Sequence, residues 1–444
     1  MSLGRPDSST PADEQSTSLR AALRGRGVAR LAIVRFTGQF GDGMFQAALS
    51  GAILFNPERQ TDPLAIAAGF AVLLLPYSLI GPYAGALLDR WDRRTVLLVA
   101  NVLRAVLIAA VAVGLLAGAG EIPLLLLALA VVGISRFVLA GVSAALPRVL
   151  EQHWLVAMNS VLATVSSGCA GAGAAISVAI IGGIGAGDFA SAVAVAVSAI
   201  GSVLGALAAA GFGARQLGPE RGSTATEGAL RAIATGLRTG ARAVWESGEV
   251  TTAMIGIGTH RIVFGLNTLI MVLVLRQAPA EGAGLNSGLL GFGVAIGFVA
   301  TGMLVAAVVA PLLIPRLGRP RTVLTGLVLA TLVQLTLVTA TAVASSGAHQ
   351  LLLVGAFLLG LAGQTVKLTG DATLQVDIDD DRRGQVFALQ DTVFNMAFVL
   401  AIGITALVIP ANGRSLPVVL AGAVIYCGGM AAIALNGRRH PATR

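Results

Sequence analysis

The chain has 444 residues, of which 55% are hydrophobic and only 12% are charged, and its mean hydropathy is +0.83. Soluble domains carry about 25% charged residues, so this composition excludes a disordered protein and argues against a soluble globular fold. A net charge of +8 would suggest nucleic acid as the partner of a soluble protein. Here the positions of the basic residues follow membrane topology, and no nucleic-acid partner is needed.

Twelve apolar segments are each long enough to form a membrane-spanning helix, which needs about 20 residues. Six of these segments precede a polar stretch and six follow it. We number them spans 1 to 12, and they lie at about 28–55, 63–88, 95–118, 122–147, 153–182, 189–212, 249–275, 286–314, 322–344, 350–375, 385–409 and 415–436. The pattern predicts an all-α integral membrane protein with twelve transmembrane helices in two six-helix bundles.

The predicted domains follow from these segments. A cytoplasmic tail at 1–27 precedes an N-terminal bundle at 28–212, and the C-terminal bundle at 249–436 is followed by a tail at 437–444. The linker at 213–248 contains apolar residues at helical spacing within 226–246, with arginines elsewhere on the wheel. We expect an amphipathic helix on the inner membrane surface that tethers the bundles, in preference to a regulatory role.

Basic residues outside the spans are distributed unequally between the two sides of the membrane. If the N-terminus is cytoplasmic, the tails and the even-numbered connections carry 22 arginines, whereas the opposite side carries only three: Arg59, Arg276 and Arg414. Positive residues accumulate on the cytoplasmic side, so both termini are predicted to be cytoplasmic.

Ionisable side chains inside the spans are costly in a bilayer, which makes each a candidate functional residue. They recur on spans 1, 4, 7 and 10, so we expect these helices to line a hydrated cavity. Asp42 is the main candidate for proton coupling, because removal from water favours a protonated carboxyl group. Its expected partner is Arg35 or Arg136, and His260 is the second proton candidate. The candidate substrate-cavity residues are Arg35, Arg136, Arg261, Lys367 and Asp371.

Structural roles compete with functional ones at some of these positions. Lys367 and Asp371 are four residues apart and can neutralise one another. Arg104 on span 3 is expected to extend its side chain to the membrane surface. Asp391 is expected near the start of span 11, where a carboxylate complements the helix dipole.

The connection between spans 2 and 3 carries a specific motif. Residues 81–97 (GPYAGALLDRWDRRTVL) resemble the major facilitator signature G-x-x-x-D-[RK]-x-G-[RK]-[RK], except that Asp92 replaces a glycine. Aspartate is one of the few residues that tolerate the left-handed turn expected there. The resemblance implies a conformational latch that includes Asp391 beside Asp89. Its members would be Gly85, Asp89, Arg90, Arg93, Arg94 and Asp391.

A decayed copy of this motif, PLLIPRLGRPRTVL at 311–324, supports an internal repeat. Segments 30–49, 144–160 and 374–389 resemble twelve-helix exporters related to macrolide-efflux proteins and the enterobactin exporter. Many proton-driven exporters carry G-P-x-x-G-G in helix 5, but this chain has SSGCAGAGAAIS at 166–177. There, Gly168, Gly171 and Gly173 are expected to permit close helix contact.

The resemblance implies alternating access around a midplane site, in a multi-pass protein of the bacterial inner membrane that is not an enzyme. We expect a monomeric, proton-coupled antiporter for efflux of a small amphiphilic compound. Four basic and two acidic residues on spans 1, 4, 7 and 10 favour an anionic or neutral substrate. The alternatives are an importer or uniporter of a metabolite with the same fold, and a non-transporting scaffold or receptor.

Other chemistries have no support in the sequence. The histidines are dispersed, the glycine clusters follow no strand, and no P-loop is present. Cys169 and Cys427 both lie in apolar segments, which argues against a disulfide framework or a zinc site. We therefore expect no cofactor, no metal site and no ATP site, and transport would depend on an ion or substrate gradient.

Overall fold

The computed structural model describes residues 26–55, 62–88, 91–151, 154–218, 229–276, 288–343 and 348–439, and within these ranges all the long elements are helices. Helices α1 to α12 follow the twelve predicted spans in order, and a linker helix lies between α6 and α7. The bounds are α1 Arg26–Ile53, α2 Pro63–Leu88, α3 Arg93–Leu116, α4 Glu121–Ala145, α5 Leu155–Ile184, α6 Asp188–Ala210, the linker helix Ala229–Glu246, α7 Gly248–Arg276, α8 Gly288–Leu317, α9 Arg319–Val333, α10 Ala348–Asp377, α11 Asp380–Val408 and α12 Leu416–Arg439. A π-helical segment, Gln334–Val338, and a short helix, Thr339–Val343, continue α9.

Ten of these helices, α3 to α12, are long and apolar enough to cross a membrane. α1 does not meet this measure, because polar residues such as Gln39, Asp42 and Gln46 lower its hydropathy. α2 contributes a shorter apolar segment, Pro63–Pro76. The protein is therefore a multi-pass helical membrane protein, as the composition predicted.

Most helices pack against others from the same half of the chain. α1 lies against α5 and α6, while α3 packs on α4 and α6, and α2 packs on α4. In the second half, α7 contacts α10, α11 and α12, and α10 also packs on α8 and α9. The most extensive contact between the first six helices and the last six is that of α2 with α11.

The two ends of the helix array differ in their basic residues. We name the end that contains Arg93, Arg319 and Arg438 the arginine-rich end, and the end that contains Arg276 and Arg414 the arginine-poor end. At the arginine-rich end, guanidinium groups bind carbonyl oxygens that have no partner inside their own helix.

Two arginines bind the carbonyl end of α6. Arg94 donates to Ala210 O at 3.2 Å, and Arg30 donates to Gly211 O. In the same way Arg93 donates to Ala144 O at 3.0 Å, at the end of α4. Cations at a helix C-terminus also complement its dipole, so these arginines fasten the helix ends to one another.

The apolar core is shared by the two halves towards the arginine-poor end. The rings of Phe55 and Phe292 lie 5.1 Å apart, and Arg276 Nη1 donates to Leu54 O at 2.7 Å. Towards the arginine-rich end, the larger buried clusters belong to one half each. The described packing between the halves is thus concentrated at the arginine-poor end.

The linker helix occupies the segment predicted to be amphipathic. A Cβ atom added to Gly240 would lie 3.0 Å from Gln385 O, so the linker helix approaches the backbone of α11 closely. Glu246 of the linker helix lies 3.7 Å from Arg382, and Arg439 lies over the ring of Trp245 at 5.8 Å. The linker helix is therefore attached to the second half of the chain.

Candidate functional site

Asp42 lies inside the first half of the chain, between α1, α3 and α4. Its carboxylate accepts hydrogen bonds from Ser135 Oγ at 2.6 Å and from Gln39 Nε2 at 3.0 Å. Oδ1 also lies 3.4 Å from Nη2 of Arg104. The expectation that Asp42 pairs with an arginine of span 1 or span 4 was therefore wrong, because its ion pair is with α3.

Arg104 corrects a second expectation. It was predicted to extend to the membrane surface, but only 1% of it is exposed. It lies eleven residues along α3 from Arg93, or about 16 Å from the helix start, too far for its side chain to reach the end. Instead it donates to Gly38 O at 3.0 Å. Gly38 and Gly41 carry no side chain, which leaves space on α1 for the guanidinium group.

The other two arginines inside the spans of the first half are Arg35 and Arg136. Arg35 Nε donates to Ser166 Oγ at 3.0 Å and so joins α1 to α5. Arg136 is partly buried on α4 and is also engaged by the protein. Four of the candidate charges in this half are thus distributed over α1, α3 and α4.

In the second half, three predicted residues line one cavity with about 320 Å³ of space between atoms, part of it open to solvent. They are His260, Arg261 and Lys367, and Gln364 and Phe394 line it with them. The cavity lies near the middle of α7, because Arg261 is about 20 Å from each end of that helix.

Arg261 is held by aromatic rings. Its guanidinium carbon lies 3.7 Å from the ring centroid of Phe394 and 4.7 Å from that of Phe398. Nε donates to Phe394 O at 3.3 Å. In the part of the chain that the structure describes, no carboxylate lies within 4 Å of this guanidinium group. Its charge is therefore stabilised by aromatic faces and is not neutralised by an acid.

Lys367 and Asp371 form the ion pair that their spacing suggested. Nζ lies 2.7 Å from Oδ2, and the other carboxylate oxygen accepts from Gln390 Nε2 at 2.8 Å. Lys367 is the only lysine of the chain. The pair is partly exposed, so it lies at the wall of a solvent-accessible space.

Asp391 does not have the predicted helix-start position. Because α11 begins at Asp380, Asp391 lies eleven residues, or about 16 Å, from its first residue. The helix dipole acts within the first turn, so the proposed dipole role was wrong. Asp391 instead lies within electrostatic reach of Lys367 and Asp371, and it therefore joins the second-half cluster.

His260 is buried against two aromatic residues. Nδ1 lies 3.1 Å from the hydroxyl of Tyr426, and its ring stacks on Phe264 with centroids 5.8 Å apart. A Cβ atom at Gly363 would overlap the imidazole, so a glycine is needed at that position of α10. Sequence reasoning missed Phe394 and Tyr426, because an uncharged aromatic residue in an apolar span gives no distinguishing signal.

The predicted latch is described only in part. Asp89 and Arg90 lie outside the described residues, as does the side-chain environment of Gly85, so their contact with Asp391 was a prediction and stays one. Asp92 is the N-cap of α3, with φ −59°, and accepts from Thr95 Oγ1 at 2.8 Å. The left-handed turn expected at Asp92 was therefore wrong, since capping explains the aspartate.

Cys169 and Cys427 are free thiols. Among the described residues, no cluster of His, Cys, Asp and Glu could hold a metal ion. The candidate site thus consists of charged and aromatic side chains near mid-depth in the helix array.

The comparisons with known proteins agree on one family. A sequence profile described as the Major Facilitator Superfamily matches residues 31–401. Uncharacterized MFS-type transporters of Mycobacterium tuberculosis (strain ATCC 25618 / H37Rv) and Mycobacterium bovis (strain ATCC BAA-935 / AF2122/97) are each 43% identical over 417 residues. These matches cover 92% of this chain and 91% of each relative.

Solved structures show the same fold at low identity. The nucleoside transporter NupG, as a mutant, gives a TM-score of 0.68 at 12% identity and covers 92% of this chain and 99% of its own. An auto-inhibited POT family peptide transporter also gives 0.68 at 12% identity, and covers 94% and 98%. A bacterial homologue of the lysosomal transporter Spinster, inward-facing and unoccupied, gives 0.59 at 12% identity, with 94% and 98% covered.

Proposed function

The chain belongs to the major facilitator superfamily and is a membrane transporter of that type, and on this basis we propose that it exports a small amphiphilic compound in exchange for protons. The compound is anionic or neutral. Export, rather than uptake, is supported by the resemblance of residues 30–49, 144–160 and 374–389 to exporters of the macrolide-efflux and enterobactin branch.

The proposed architecture is two six-helix bundles, 28–212 and 249–436, that rock about a midplane site. Its support is the preference of helices for partners in the same half of the chain. Including α1 and α2, twelve helices would span the membrane of a bacterial cell as a monomer. The arginine-rich end would face the cytoplasm, and with it the tails 1–27 and 437–444 and the linker 213–248.

The observation that carries proton coupling is the buried carboxylate of Asp42. Ser135 and Gln39 donate to its ionised form, and Arg104 balances its charge. A proton on Asp42 would remove the partner of a fully buried guanidinium group, which is costly in a low-dielectric site. Protonation would therefore favour a different packing of α1, α3 and α4, and a proton gradient could bias the two states.

The balance of charge supports an anionic or neutral substrate. Asp42 is matched by Arg104, and Lys367 by Asp371. Asp391, the remaining acid of the second-half cluster, interacts with Lys367 and Asp371. Arg261 faces the second-half cavity, and no described carboxylate lies within 4 Å of its guanidinium group. The positive charge of Arg261 attracts an anion and repels a cationic drug.

Inverted membrane vesicles from cells that express the chain test the proposal without knowledge of the substrate. The vesicles are incubated with a cell extract of small metabolites under an imposed proton gradient, acidic inside, and retained compounds are measured by mass spectrometry. At least one anionic or neutral amphiphile should accumulate with the wild-type chain and not with Asp42→Asn. His260→Gln tests the second proton candidate in the same way.

The matched control is Asp62→Asn, the same change at an exposed carboxyl group before α2. Accumulation without a gradient would favour a uniporter, and accumulation only in right-side-out vesicles would favour an importer. A cation as the accumulated compound would refute the charge argument. If no compound accumulates in a way that depends on the chain, a scaffold or receptor describes the protein better.

A further inference from the structure

We infer that the second half of the chain contains a two-part binding site for an organic oxyanion with an apolar tail, in which Arg261 binds the anionic group. This inference rests on the proposed function and names the substrate class. The first part is the cavity lined by His260, Arg261 and Lys367, and the second part is an adjoining apolar chamber.

The apolar chamber lies between α7, α8, α9 and α10 and encloses about 510 Å³ of space between atoms, part of it open to solvent. Its apolar lining includes Met271, Val338, Leu352 and Leu359. It shares Phe264, Val299 and Leu359 with the cavity of Arg261. The two spaces therefore adjoin, and a ligand that extends past these three side chains would contact both.

The polar side chains of the apolar chamber are already engaged. Thr268 donates to Phe264 O and Thr341 to Val338 O, each at 2.7 Å, and Asn267 donates to Gln334 at 2.7 Å. Both threonine hydroxyl hydrogens are thus used, so an acceptor group of a ligand would find no hydroxyl donor here, and its desolvation would be poorly compensated. The chamber therefore suits an alkyl or aryl tail.

The head-group position is set by Arg261. Nε donates to Phe394 O, which fixes the plane of the guanidinium group on the ring. In the described part of the chain, its two terminal nitrogens have no hydrogen-bond partner. Two parallel N–H donors match the two oxygens of a carboxylate, phosphate or sulfonate. Lys367 contributes less, because Asp371 already binds its ammonium group.

The sequence of α10 gives the direction of the ligand. Residues 351, 355, 359, 363 and 367 are four apart, so each lies next to the following one on the helix surface, in a row that winds gradually around α10. All five positions line one or the other space. Lys367 is about 24 Å from Leu351 along α10. The anionic group thus lies near mid-depth, and the tail points towards the arginine-poor end.

Equilibrium binding to the full-length protein in lipid nanodiscs tests the inference by calorimetry. The probes are 3-phenylpropanoate, its neutral amide and 3-phenylpropylamine, which share a tail and differ in charge. Acetate has the head group without the tail. We expect the carboxylate to bind at least about tenfold more tightly than the amide and the amine, because a hydrogen bond to a charged group contributes about 1.5–3 kcal/mol. It should also bind more tightly than acetate, because acetate has no tail to bury in the chamber.

Variants separate the two parts of the site. Arg261→Gln should weaken 3-phenylpropanoate binding by about tenfold or more, and Arg261→Lys should restore it only in part, because lysine lacks the planar fork. Gly355→Leu should weaken the same probe, because a Cβ at Gly355 makes only ordinary contacts and the leucine can project into the chamber. The control, Arg414→Gln, removes the same charge at an exposed position.

The thermal melting temperature of each variant is measured alongside, so that a misfolded variant is recognised and replaced by Leu352→Phe for the chamber. Equal binding of the amide and the carboxylate, equal binding of acetate, or no binding of any probe would overturn the inference. Binding needs no proton gradient, so it can succeed where vesicle transport fails. If the wild-type chain and the Arg261→Gln variant transport an anion equally well, the proposed function remains supported and the two-part site is refuted.

Discussion

At the scale of single residues, five of the charges inside the spans have two kinds of environment. Arg104 and Asp42 neutralise each other in a packed interior, and Lys367 and Asp371 do so at a cavity wall. Arg261 alone of these is stabilised by aromatic rings in place of a described acid. An arginine held in this way keeps its charge available for a ligand, whereas a paired one serves the packing of its helices.

The Arg104–Asp42 pair gives a residue-scale prediction for stability. Arg104→Met leaves the carboxylate of Asp42 buried without its partner, and breaking a buried pair costs about 3–5 kcal/mol. Asp42→Asn should also destabilise the protein. The double variant should lose less than the sum of the two single losses, because neither charge then remains unpaired.

Thermal melting of the purified variants in one detergent measures these losses, and Arg414→Gln serves as the control for loss of an arginine. Strictly additive losses would show that the two side chains contribute independently and would refute the ion pair.

Charged residues at depth could be recognised from the sequence, because a charge in hydrocarbon is costly and therefore rarely incidental. Three residues that this reasoning singled out, His260, Arg261 and Lys367, line one cavity in the structure. The same reasoning could not find the partner of Asp42, because Arg104 is 62 residues away and the contact depends on how α1 and α3 pack. It also placed Asp391 wrongly, since the apolar run begins later than α11 does.

At the scale of helices, small residues decide which helices approach closely. A Cβ atom at Gly173 of α5 would overlap Phe40 O of α1, and one at Gly43 would overlap Ala170 O. Gly168 and Gly171 have open space around them instead. Of the three glycines predicted to allow close contact, only Gly173 faces α1, because helix periodicity points the other two elsewhere.

This difference predicts unequal effects of one substitution. Gly173→Ala should destabilise the protein by about 1–3 kcal/mol, because α1 and α5 must separate. Gly168→Ala and Gly171→Ala should cause no loss, since alanine has the higher helix propensity. Melting temperatures compare the three variants directly, and equal losses at all three positions would contradict the assigned helix contact.

Helix bounds could be predicted to within a few residues for most spans, because a run of about 20 apolar residues ends where polar residues begin. α11 is the exception, since its first turns are polar and pack against the linker helix. The π-helical segment Gln334–Val338 gave no sequence signal. Its first residue, Gln334, binds Asn267 and Val419 O, and these contacts with α7 and α12 depend on tertiary packing.

At the scale of the whole molecule, the halves meet at the arginine-poor end. Phe55 packs on Phe292 there, and Arg276 binds the carbonyl of Leu54. The alternating access that we propose would require this contact to open at some stage of the cycle. A cross-link across this contact should therefore hold the arginine-poor end closed.

A cross-link across this contact gives the molecule-scale prediction. In a variant with Cys169→Ser and Cys427→Ser, the pair Phe55→Cys and Phe292→Cys should react with a short bifunctional thiol reagent. The cross-linked protein should lose gradient-driven accumulation in vesicles and recover it when a cleavable linker is cut. Each single cysteine variant is the control, and full activity of the cross-linked pair would contradict an opening at this end.

The presence of one lysine among 30 basic residues has a practical consequence. Acylating reagents that react with amines can modify only two groups of the chain, the α-amino group and Nζ of Lys367. The second of these is held by Asp371 at the cavity wall, so its rate of acylation reports both the breaking of that ion pair and the access of reagent to the cavity. Intact-mass measurement of a single added group, with reagent on one side of the membrane, would then follow the opening of the cavity in the unaltered protein.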